Sequence, residues 1–179
     1  KDFAAPAEVT HALIGRATHP IYGYTLFPES LYESLIDWLR LRHHWQVERE
    51  WIILSPGVVP SLTATIMALT QPSEQVIVQP PVYFPFFSAV TKTGRQLIRN
   101  PLYLEHNQYA IDFEQLEQIG ANARMLLFCS PHNPVGRVWD KSELTQLIKI
   151  ANKHDWLIIS DEIHADLVYP ENQHHPLAS

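Results

Sequence analysis

The sequence predicts an α/β fold in which a mostly parallel sheet is covered by helices on both faces. From Trp51 onward, short apolar runs rich in β-branched residues alternate with stretches of helical periodicity, the pattern of parallel strands joined by crossover helices. Most of the strand runs are largely apolar, as befits strands covered on both faces. At 179 residues the chain has the length of about one domain, and with 46% apolar and 18% charged residues it has ample material for a core.

Taken in order, Val9, Ala12 and Leu13 give residues 8–16 the spacing of a short helix. Residues 19–27 read as an irregular arm punctuated by Pro20 and Gly23. After Pro28, a wide apolar stripe of Leu31, Tyr32, Leu35, Ile36, Trp38 and Leu39 predicts a helix ending near His43, with that stripe packed against a partner. Strands are expected at 51–54, 75–78, 96–99, 125–129 and 156–159. Helices are expected at 60–69, 84–91, 112–119 and 140–154. The last is the best marked, with Asp140 as N-cap, Glu143 three residues later, and Leu144, Leu147, Ile148 and Ala151 on one face.

The charge balance narrows the functional classes. A net charge of −6 and a pI near 5.9 argue against nucleic acid or an anionic membrane as partner. No apolar run approaches the roughly 18 residues of a membrane span, and no secretory pattern opens the chain, so a cytoplasmic metabolic protein is expected. The single Cys129 cannot form an internal disulfide and sits in an apolar run, as a buried strand end does. The pairs His43-His44 and His174-His175 lack metal-site spacing and cysteine partners, so both read as surface and no metal site is expected.

In open α/β sheets, ligands lie beyond the carboxyl ends of the strands. Three motifs fall at such ends: Pro80-Pro81-Val82-Tyr83, Ser130-Pro131-His132-Asn133-Pro134-Val135-Gly136, and Asp161-Glu162-Ile163-His164. An Asn in a Pro-bracketed turn offers an amide to a phenolic oxygen, and an Asp at a strand end can hold a ring nitrogen protonated. That pair reads as a pyridoxal-phosphate site. Asp161 alone fits a turn cap equally well; its co-occurrence with Asn133 favours the functional reading. Ser55-Pro56-Gly57-Val58-Val59-Pro60 precedes a helix, where free N–H groups attract phosphate.

These motifs, with His19-Pro20-Ile21-Tyr22-Gly23-Tyr24, resemble the fold-type I pyridoxal-phosphate enzymes of the class I/II aminotransferase superfamily, in the cystathionine β-lyase branch of MalY/PatB type. The resemblance runs along nearly the whole chain. It implies an incomplete PLP-transferase-like large domain, with residues 1–27 as an arm and part of a small domain and 28–179 as the first part of the cofactor-binding domain. It further implies that Gly57, Val58 and Val59 form the phosphate turn, that Tyr83 stacks on the pyridine, and that Asn133 and His164 face its 3-oxygen. Many relatives carry a Tyr where this chain has His164, and the His form is what points to the lyase branch; a packing role for His164 remains open. Tyr83 also fits the core, like its phenylalanine neighbours.

By the same resemblance Tyr24, with Tyr22 as rival, reaches the phosphate of a neighbouring subunit, implying a homodimer with shared sites. The implied substrates are cystathionine-like amino acids, cleaved to pyruvate, ammonia and thiol. An aminotransferase on the same site is the alternative, and a non-catalytic binding protein or remnant is a third reading. The Schiff-base lysine of the family is expected beyond Ser179: Lys1, Lys92, Lys141, Lys149 and Lys153 all lie upstream of the Asp161 motif, so no catalytic residue is assigned within the chain. The chain therefore reads as a fragment of a longer enzyme.

Overall fold

The computed structural model describes residues 3–179; Lys1 and Asp2, the former among the lysines weighed above, lie outside the described residues. Four parallel strands form the central sheet in the order β2 (Gln96–Arg99), β1 (Gln75–Val78), β5 (Ala123–Cys129) and β6 (Leu157–Asp161). Period-two alternation sorts their side chains into two cores. Val76, Val78, Met125, Leu127 and Cys129 meet Leu62 and Ile66 of α3 (Val58–Leu69) and Phe86, Ala89 and Val90 of α4 (Pro85–Thr91). On the opposite face, Ile77, Leu126 and Phe128 meet Leu116 of α5 (Phe113–Ile119) and Leu144, Leu147, Ile150 and Ala151 of α6 (Lys141–His154). Each fully buried Val, Leu, Ile, Phe or Met among them contributes roughly 1.5–3 kcal/mol.

Helix α6 begins as expected. The Asp140 carboxylate accepts from the Ser142 and Glu143 N–H groups at 2.8 and 2.9 Å, and the Glu143 side chain accepts from the Asp140 N–H at 2.8 Å. It ends where Asp155 turns left-handed (φ 54°), which redirects the chain into β6. Under this helix, Trp156 donates from Nε1 to the Gly120 carbonyl at 2.9 Å and lies so close that a Cβ on Gly120 would stand 1.8 Å from its ring. Gly120 has an ordinary helical φ of −82°, so space and not backbone freedom requires glycine there.

Several expectations need correction. Residues 51–54 are not a strand: Arg49–Trp51 form a single 3₁₀ turn and Ile53 is 87% exposed, because no neighbouring strand pairs with this run. The segment before Gly57 therefore does not follow a strand. An unforeseen antiparallel hairpin joins β3 (Tyr103–Glu105) to β4 (Gln108–Ala110) through His106 and Asn107, both at positive φ. The stripe of α2 (Glu29–His43) is only partly covered: Tyr32 is buried under the Arg49 guanidinium, 3.3 Å from its ring centre, while Trp38 is half exposed. Before it, α1 (Ala7–Ala17) and the arm run exposed throughout.

The histidine pairs are also not all surface. The His43 side chain is 6% exposed and donates from Nε2 to Asp166 at 2.8 Å; His174 is buried and donates from Nε2 to Glu162 at 2.9 Å. Their rings meet edge-on at 5.6 Å. Two carboxylates distant from the pairs drew them inward. His44, at the left-handed end of α2, is exposed as expected.

Candidate active site

The strand ends and the start of α3 enclose a cavity of about 480 Å³ lined by Gly57, Val58, Val59, Pro60, Tyr83, Cys129, Asn133, Asp161, Ile163 and His164. Seven of the eight residues singled out from the sequence stand around it. The eighth, Tyr24, is fully exposed on the arm and does not line this cavity. The register that pairs Cys129 with Asp161 brings two motifs thirty residues apart to neighbouring strand ends.

Asp161 forms the most polar wall. It is 8% exposed, and its only side-chain partner is the Ile163 N–H at 3.2 Å; among the described residues no cation pairs with it. Burial pushes its carboxyl above the usual aspartate range, against the opposing effects of the Ile163 N–H and His164. A buried carboxylate with one hydrogen bond is costly unless a ligand cation completes it. The strand end that presents it is clamped through the next residue: Glu162 accepts from Ser160 Oγ at 2.7 Å, from the Leu177 N–H at 3.0 Å and from His174. Burial alone would raise the Glu162 carboxyl, but these three donors together outweigh it and hold it low.

Opposite Asp161, α3 opens with Gly57 in extended backbone (φ 162°), with no side chain capping its first N–H groups and no acidic residue in its first turn. The Ser55 and Ser61 hydroxyls lie 2.6 Å apart and within 3.1 and 2.9 Å of the Gly57 carbonyl, so their two protons are shared among three contacts that hold the turn. A Cβ at Gly57 would meet only the Pro60 ring, at an ordinary contact distance of 3.6 Å. Free N–H groups at a helix start suit an anion such as phosphate. Tyr83, 39% exposed, lines the cavity together with Asn133 and His164. Beyond Asn133 and His164 a larger hollow of about 750 Å³ opens, bounded by the β3–β4 turn, Arg137 and Tyr169.

The set fits a flat ring with a basic nitrogen at one end and an anionic group at the other. Three wall residues, Pro60, Cys129 and Ile163, escaped the sequence reading as site residues. Cys129 was expected only as a buried strand end; burial pushes its thiol up to about 11, so it is a neutral neighbour of the carboxylate. Ile163, largely exposed, also lines the cavity, and its N–H is the donor to Asp161. Among the described residues no group of His, Cys, Asp or Glu side chains is arranged to hold a metal, and no helix is long and apolar enough to cross a membrane.

Comparison with known proteins agrees with this geometry. The model of aminotransferase classes I and II matches residues 3–178. Cystathionine beta-lyase PatB of Bacillus subtilis is 43% identical, the match covering 99% of this chain and 46% of that protein. Among solved structures, a PLP-bound protein from Clostridium difficile superposes with a TM-score of 0.98 at 44% identity, covering 99% of this chain and 46% of the other. Cystalysin from Treponema denticola, which contains pyridoxal 5'-phosphate, superposes at 0.95 with 39% identity over 99% and 46% of the two chains. The chain spans about half the length of the relatives it matches.

Proposed function

The chain belongs to the family of class I and II aminotransferases, and from that membership we propose that it is part of a pyridoxal-phosphate-dependent carbon–sulfur β-lyase acting on cystathionine-like amino acids. The observation that carries the reading is the buried Asp161 carboxylate, without a cation, facing an uncapped helix start across a cavity edged by Tyr83, Asn133 and His164. The 43% identity to a cystathionine β-lyase favours elimination over transamination. Residues 28–179 then supply the first part of the cofactor-binding domain. The exposed arm with Tyr24 is the element offered to a second copy in a homodimer.

Bound in this cavity, pyridoxal phosphate supplies an electron-withdrawing ring that stabilises negative charge at the α-carbon of an amino-acid substrate. Asp161 keeps a proton on the ring nitrogen, and that pairing relieves the cost of its own burial. Asn133 donates its amide to the 3-oxygen, with His164 beside it. The first N–H groups of α3 bind the phosphate, and Tyr83 covers one ring face and excludes water. The lysine that would move the α-proton is assigned to the remainder of a longer protein.

The test is to incubate the full-length protein with cystathionine and pyridoxal phosphate, with and without an α-keto acid as amino acceptor, and to follow pyruvate and free thiol together. Both are expected in equal amounts. Keto-acid formation without thiol release would replace the lyase reading by the aminotransferase one. Asp161→Ala is expected to lower kcat by roughly 10²-fold or more, the scale of losing one preorganised electrostatic partner.

A further inference from the structure

One buried titratable side chain links two of the turns around the cavity without lining it. His132 is 1% exposed and immediately precedes Asn133, at the end of β5. Its ring reaches sideways to the neighbouring strand's exit, where Nε2 lies 3.0 Å from the carbonyl oxygen of Pro81, two residues before Tyr83. A carbonyl only accepts, so Nε2 carries the proton and donates. Nδ1 is buried with no hydrogen-bond partner among the described residues, and the Pro81 bond is the ring's side-chain hydrogen bond.

The rest of His132 is equally held. Its N–H donates to the Arg137 carbonyl at 2.7 Å, and its own carbonyl accepts from the Gly136 N–H at 2.8 Å, closing the turn that displays Asn133. The ring meets Trp139 edge-on at 5.6 Å, and Trp139 is itself anchored by a 2.9 Å bond from Nε1 to the Cys129 carbonyl. Burial pushes the imidazole down to about 4, so the ring is uncharged at neutral pH and adds no field to the cavity. What it supplies is a hydrogen bond of fixed length between two strand exits, added to the sheet pairing and to the packing of Val82 against β5.

We propose that His132 is a positioning residue whose Nε2–H bond to the Pro81 carbonyl sets the separation of Asn133 and Tyr83, coupling the two in cofactor binding. The proposal rests on the pyridoxal-phosphate reading of the cavity. It assigns to His132 no contact with cofactor or substrate and no proton transfer.

The experiment is a double-mutant cycle on the full-length protein, with pyridoxal-phosphate affinity read by quenching of intrinsic fluorescence and the unfolding midpoint of each cofactor-free variant recorded alongside. His132→Leu is expected to weaken binding roughly tenfold, the scale of one lost buried hydrogen bond. His132→Gln, whose amide N–H falls near Nε2, should restore affinity to within about threefold. The double variant His132→Leu with Tyr83→Ala should bind about as poorly as the weaker single variant, because a displaced Tyr83 has little left to lose. Should the Leu variant fail to fold, His132→Asn, too short to reach Pro81, takes its place in the cycle. Losses that multiply in the double variant, or a Gln variant as weak as Leu or Asn, overturn the positioning role. Wild-type protein that does not bind pyridoxal phosphate overturns the cofactor reading itself.

Discussion

The first thirty residues and the sheet body are both rich in large apolar side chains, yet they treat them in opposite ways. In the body, Val76, Ile77, Val78 and Leu126 have no exposed surface at all. In the arm and α1, Leu13, Ile14, Tyr22 and Leu26 are 66%, 58%, 69% and 89% exposed, although Val9 and Leu13, four residues apart, carry a helical spacing. Periodicity thus decides local conformation, while burial is decided by what stands opposite. The strands of the body have two helical layers to meet; the helix of the arm has no facing layer within the described chain.

The sharpest way to break this contrast is at Trp139, fully buried and hydrogen-bonded to the Cys129 carbonyl. Trp139→Ala should lower the unfolding free energy of the body by about 4 kcal/mol, the scale of an aromatic deletion in a core, measured by denaturant titration. A loss below about 1 kcal/mol would show the body to be as loosely packed as the arm.

Acid is the next probe. His132 sits at about 4 in the folded protein against 6.5 when free, so the unfolded chain takes up the proton first. Its contribution is fully present above pH 6.5 and falls progressively as the pH drops toward 4, by on the order of 3 kcal/mol. Unfolding titrations at pH 7 and pH 4 should therefore differ more in the wild type than in His132→Gln. Equal differences would remove the imidazole as a source of acid sensitivity in the body.

The smallest effect is expected in the arm. Leu13→Ser in the 179-residue chain should change stability by less than about 0.5 kcal/mol, as for any exposed site. A loss near 2 kcal/mol that grows with protein concentration would instead show the arm's stripe buried against a second copy.

The same contrast explains which parts were legible in the sequence. Strands β1 and β5 were legible because continuous apolar runs leave little choice when both faces are covered. Helix α6 announced itself through Asp140 and Glu143, a local code complete within four residues. The run Trp51-Ile52-Ile53-Leu54 carries the same β-branched signature but has no strand to pair with, a fact no local pattern contains. The β3–β4 hairpin was missed because its strands are three residues long and mostly exposed; the His106-Asn107 dipeptide, with Asn tolerant of positive φ, was the available clue.

At the site, Gly57, Tyr83, Asn133, Asp161 and His164 were legible as motifs at strand and helix ends, where an α/β sheet gathers its ligands. His132 was not, because its partner is the main chain of Pro81, and a backbone carbonyl leaves no mark in sequence. Nor were His43 and His174, whose carboxylate partners Asp166 and Glu162 are 123 and 12 residues away.

The contact between Gly120 and Trp156 constrains how this chain can drift. A side chain at position 120 would occupy space already filled by the indole, while trimming the indole first opens a hole and strands the Gly120 carbonyl that it serves. Either first step costs stability before the second can repay it. The two positions, 36 residues apart, thus behave as a single heritable unit, separated by a fitness valley from every other pairing.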